Sequence, residues 1–131
     1  AVVYLKPELA SAAKYVRKQA GQLPSKARFV AAQISALLTD DLWLRNARHA
    51  NDQAVALAQR LDGVAGVSVP RPPEVNAVFA QVPADRIAAL QDWSFCWEWD
   101  LSESLVRWMT SFATTDEDIE RFAAGVAAIV A

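Results

Sequence analysis

Apolar residues recur along the chain at two spacings, helical in the first half and mostly alternating in the second. Ala1–Leu5 is an uninterrupted apolar run that reads as a strand. Pro7 suits the first position of a helix, and Leu9, Ala12, Ala13, Val16 and Ala20 form an apolar stripe that Gly21 ends. Ser25 is placed to open a second helix, in which Phe29, Ala32, Gln33, Ala36 and Leu37 share one face. Thr39-Asp-Asp-Leu42 is a further start signal, a capping hydroxyl followed by acids. The long helix after it carries Trp43, Ala47, Ala50, Ala54, Leu57, Ala58 and Leu61 on one side and stops at Gly63.

Beyond Gly63 the period shortens. Gly66–Val69 and Val75–Val82 read as strands, Pro83–Gln91 as a short helix, and Phe95–Trp99 and Leu105–Met109 as two more strands. Thr114-Thr-Asp-Glu-Asp118 offers a capping box in either of two registers. The last helix then places Ile119, Phe122, Ala123, Val126, Ile129 and Val130 on one face. Hairpin-length connections predict antiparallel pairing within an α+β fold.

Composition narrows the chemistry more than the fold. The 131 residues are 53% hydrophobic and 21% charged, which predicts a compact soluble fold with one core of its own. No apolar run reaches the length of a membrane span, and the N-terminus carries no signal-peptide pattern. The single Cys96 cannot form an internal disulfide, and its surroundings read as a small apolar position in a Trp-rich strand. With His49 the only histidine, neither a metal cluster nor a catalytic triad is expected. His49 sits one position from the apolar stripe, where a local hydrogen bond is expected to satisfy it. Five Trp and five Phe exceed what so small a domain buries alone, and the chain opens on an apolar run without Met. Both features lead to the expectation of an incomplete molecule with a missing partner.

Charge is uneven. The net charge is -2, yet no acid lies between Glu8 and Asp40, where Lys14, Arg17, Lys18, Lys26 and Arg28 are gathered. Lys14, Arg17 and Lys18 share a helix face, and Lys26 and Arg28 fall in the first turn of the next helix. Cations there are unfavourable without an anion beside them. Two readings stay open on charge alone, a solvated basic face or an anion site built from two helix ends. Arg107, mid-strand in Leu-Val-Arg-Trp-Met-Thr, either points to solvent or is held for a carboxylate or phosphate.

Tyr15–Phe29, Asp41–Asn51 and Val106–Phe112, with Pro73–Phe79 as a weaker fourth segment, together resemble the low-specificity L-threonine aldolases. That family belongs to the fold-type I pyridoxal-phosphate enzymes, and the similarity runs from Ala1 to about the last helix. It implies the end of the large domain over residues 1–62 and a small domain of antiparallel strands covered by helices over 63–131. The cofactor domain and the Schiff-base lysine would lie upstream, so the chain is expected to hold no catalytic residue and to be inactive alone. The resemblance assigns Lys18 and Arg28 to the phosphate of pyridoxal 5'-phosphate, reaching toward a neighbouring subunit. A longer link at Gln22–Lys26 leaves Lys26 as an alternative to Arg28. Arg107 matches an arginine that binds the substrate carboxylate in an Arg-x-x-Thr strand, while Thr110-Ser111 stands where relatives often read Thr-His.

The activity implied is cleavage of L-threonine and related β-hydroxy-α-amino acids to glycine and an aldehyde. It would proceed in a cytoplasmic homodimer or homotetramer with neither nucleic acid nor membrane as partner. Other fold-type I lyases, such as a phenylserine aldolase or a β-eliminating lyase, are alternatives. A stand-alone module binding RNA or another anion is a third, against which stand the pI near 5.3 and the scarcity of aromatics among the cations.

Overall fold

A computed structural model describes residues 2–131 and divides the chain into two compact units, 1–42 and 43–131. The first unit is helical. A single 3-10 turn, Pro7–Ala10, precedes helix α1 (Ala13–Gln19), and helix α2 spans Ala27–Leu38. The continuous helix expected from Pro7 is thus split, with Ala12 as the N-cap of α1 and no side chain capping it. Gly21 follows α1 at φ +65°, the left-handed conformation that a β-carbon disfavours.

Two start signals act differently from expectation. Lys26, not Ser25, is the N-cap of α2, and it makes no side-chain cap bond. Thr39 donates its hydroxyl back to the Ser35 carbonyl at 2.8 Å, so it closes α2 instead of opening the next helix. A further 3-10 turn, Thr39–Asp41, has Asp40 and Asp41 at φ 50° and 56°. No residue from 2 to 42 is buried. Leu9, Val16, Phe29 and Leu37 of the two stripes are all exposed. Val2–Leu5 forms no strand in the described residues, and Ala1 lies outside them. An apolar run extends readily, but it becomes a strand only when a neighbour takes its hydrogen bonds.

The second unit is an antiparallel sheet packed against helices. Helix α3 (Leu42–Leu61) belongs to it apart from its first residue. Strands β1 (Ala77–Gln81), β2 (Trp97–Asp100) and β3 (Leu105–Met109) lie in the order β1-β3-β2, both pairs antiparallel. Helices α4 (Ile87–Trp93) and α5 (Asp116–Val130) complete it. The strand expected at Gly66–Val69 is reduced to one bridge, Ser68 to Gln81. Gly66 at φ +83° turns the backbone there, and Pro70 follows at once, so the pairing does not extend.

Alternation decides which sheet face is covered. Val78, Ala80, Val106 and Trp108 enter one core with Ala54, Leu57 and Leu61 of α3, Leu90 of α4, and Ile119, Ala123 and Val126 of α5. Each fully buried aliphatic side chain contributes about 1.5–3 kcal/mol of transfer free energy. Of the two possible capping boxes, the structure uses Thr115–Asp118. Thr115 accepts from the Asp118 amide at 3.1 Å, and Asp118 accepts from the Thr115 amide at 3.0 Å. Gly125 lets α4 approach α5. A methyl group at that position would overlap Cζ2 and Cη2 of Trp93, whose ring packs 5.2 Å from that of Phe122.

Candidate functional site

The uncovered face of the sheet holds the residue that stands out in the sequence. Arg107 is central in β3, opposite Phe79 of β1 on one side and Trp97 of β2 on the other. It points away from the core because Val106 and Trp108, its neighbours in the strand, point into it. Its guanidinium carbon lies 4.8 Å from the centre of the Trp99 ring, and Trp99 in turn meets Phe79 edge-on at 5.2 Å. Arg107 Nε is enclosed and makes no hydrogen bond. No described carboxylate pairs with this arginine. An enclosed donor without an acceptor costs about 1–3 kcal/mol, and an arginine offers a planar fork suited to carboxylate or phosphate.

Strand β3 is anchored beyond the arginine. Thr110 is buried and donates its hydroxyl to the Ala50 carbonyl of α3 at 2.6 Å. Asn76 donates its amide to the Thr110 carbonyl at 2.7 Å, and the Thr110 amide donates to the Asn76 carbonyl at 3.1 Å. The threonine three positions after the arginine therefore fixes the strand and leaves the open face to its neighbours. An open groove of about 540 Å³ runs past Arg107, Trp97 and Met109, with Asp118 and Arg121 also in its lining. Cys96 lines it as well, but burial pushes its thiol up, against a smaller opposing effect of the hydrogen bond with Trp108.

The basic stretch belongs to the first unit. Lys18 lies in the last turn of α1, Lys26 is the N-cap of α2, and Arg28 is in the first turn of α2, which contains no acidic residue. All three are exposed, and none is in an ion pair among the described residues. Lys14 instead lies 5.1 Å from the ring of its neighbour Tyr15. Lys18, Lys26 and Arg28 thus belong to one unit and Arg107 to the other.

Trp99 and Phe79 went unrecognised in the sequence as partners of Arg107. The only signal was an arginine in an aromatic-rich pair of strands, and nothing there distinguishes Trp99 from Trp97. His49 has the hydrogen bond expected of it, from Nε2 to the Thr114 carbonyl at 2.7 Å, although that partner is 65 positions away and not local. Among the described residues, no group of three or more His, Cys, Asp or Glu side chains could hold a metal ion. No described helix is long and apolar enough to cross a membrane.

An antiparallel sheet with helices on one face and an arginine on the other is consistent with the C-terminal part of a pyridoxal-phosphate enzyme. Comparison of sequences narrows this class. The chain is 42% identical over 121 residues to a low specificity L-threonine aldolase of Pseudomonas aeruginosa, covering 92% of this chain and 34% of that protein. It is 34% identical over 130 residues to a protein of the same name from Pseudomonas sp., covering 99% of this chain and 38% of that one. The chain is similar to the C-terminal portion of the low-specificity L-threonine aldolases and spans little more than a third of these relatives' length. No family model matches it.

Proposed function

We propose that this chain is the C-terminal portion of a pyridoxal-phosphate-dependent aldolase that cleaves L-threonine and related β-hydroxy-α-amino acids to glycine and an aldehyde. On this reading residues 1–62 end the large domain and 63–131 form the small one, within a cytoplasmic homo-oligomer. The observation that carries the reading is Arg107 on the uncovered sheet face, without a carboxylate partner among the described residues and with its Nε making no hydrogen bond. Such a group suits the α-carboxylate that every substrate of this kind presents. Binding it would fix one substituent of the α-carbon and so restrict the orientation of the Cα–Cβ bond that breaks. The aromatic rings flanking Arg107 would exclude water from the ion pair and strengthen it.

Lys18 and Arg28, with Lys26 as the alternative to Arg28, would hold the cofactor phosphate. Exposed cations without ion pairs beside an acid-free helix start fit a dianion. When bound, pyridoxal phosphate supplies the electron sink for carbon–carbon cleavage. None of the four lysines, Lys6, Lys14, Lys18 and Lys26, matches the family's attachment position, so the chain alone is inactive on this reading. The test is Arg107→Ala in the complete protein. Loss of a charge-assisted contact worth about 1.5–3 kcal/mol should raise KM for L-threonine by about 10- to 150-fold, with the cofactor absorbance intact. An unchanged KM would remove the carboxylate role.

A further inference from the structure

We infer that Trp99 is a positioning residue for Arg107, holding the guanidinium plane in the attitude in which it meets a substrate carboxylate; this rests on the carboxylate role proposed for Arg107. The register of the sheet supplies the argument. Trp97 pairs with Arg107 and Glu98 with Val106, but Asp100 then pairs with Leu105, so Trp99 is the extra residue of a bulge in β2. Bulges bend the strand and re-aim side chains, and they recur beside functional sites. Beside this bulge the Trp99 ring lies against the guanidinium at 4.8 Å, within reach of a cation–π interaction.

The arrangement has a second support behind it. Phe79, cross-strand from Arg107, places its ring edge-on to Trp99 at 5.2 Å, which restrains the indole against the guanidinium. Stacking does not engage the terminal N–H donors, because it uses the face of the guanidinium and a carboxylate engages its edge. The stack therefore restrains the side chain without competing for the ligand. Rotamer freedom that would otherwise be lost on binding is lost on folding. Trp99 is itself 56% exposed, so its role is not that of filling the core.

The test uses the complete protein, 15N-labelled, with the Arg107 Nε–H resonance assigned through its loss in Arg107→Ala. Two quantities are read: the rate of rotation about the Nε–Cζ bond, and the shift of the Nε–H resonance on titration with L-threonine. Trp99→Phe, which keeps an aromatic face, should stay within about twofold of the parent chain in both. Trp99→Leu should speed the rotation and weaken L-threonine binding by about fivefold or more, with the far-UV circular dichroism unchanged. A Trp99→Leu chain that binds L-threonine as the parent does overturns the inference while leaving Arg107 its role. A parent chain whose Nε–H resonance ignores L-threonine overturns the carboxylate role, and the inference with it.

Discussion

Gly125 sets two effects of opposite sign against each other, which makes its replacement by alanine a sharp test of the packing between α4 and α5. In the interior of α5, alanine is favoured over glycine by about 1 kcal/mol of helix propensity. Against this, the new methyl would overlap the indole of Trp93. Overpacking of this kind costs about 1–3 kcal/mol. Trp93 is half exposed and can escape outward, but only by giving up its ring contact with Phe122, worth about 0.5–1.5 kcal/mol beyond the area buried. Gly125→Ala should therefore destabilise the chain by up to about 2 kcal/mol. In a Trp93→Leu background the overlap is gone, and the same change should stabilise by up to about 1 kcal/mol. The four proteins are compared by urea unfolding followed by far-UV circular dichroism, which does not depend on the indole that is removed. The coupling expected from the cycle is about 1–3 kcal/mol. Additivity within about 0.5 kcal/mol would refute the contact.

Two further outcomes follow from the anchors of the second unit. Thr110→Val keeps the shape but removes the hydroxyl donated to the Ala50 carbonyl, so it should cost about 1 kcal/mol in chemical denaturation, and unchanged stability would refute that anchor. Hydrogen bonds from the Thr115 amide and then the Thr115 hydroxyl hold the Asp118 carboxyl below its ordinary value, with Arg121 assisting. A depressed folded-state value means that this stabilisation is present above the unfolded value, near pH 4, and is lost as pH falls through the lower folded one. Asp118→Asn removes the titrating carboxyl and should flatten that acid limb in a stability–pH series, and an unchanged limb would exclude the capping box as its source.

The parts of the fold legible in the sequence are those whose pattern is satisfied within the second unit. Leu105–Met109 is a strand with the expected bounds, because its apolar alternation meets a core on one side. Helix α5 was announced by its capping box and by a stripe in which Ile119, Ala123, Val126 and Val130 are all buried. In the first unit the same reasoning misplaced boundaries. The stripes of α1 and α2 have apolar residues at the right spacing, yet burial, which would favour one continuous helix over a split one, is missing from residues 2–42. Arg107 was visible as a charge among apolar neighbours. Its stack on Trp99 was not, since which of the strand's tryptophans meets the arginine depends on the register of two strands together.

The hydrogen bond of His49 to the Thr114 carbonyl limits what the chain's one histidine can do with a proton. A carbonyl oxygen only accepts, so Nε2 carries its hydrogen whether the ring is neutral or cationic. Passing a proton from one nitrogen to the other would break the contact that ties α3 to the segment entering α5. While this bond lasts, the ring cannot conduct a proton from one side to the other.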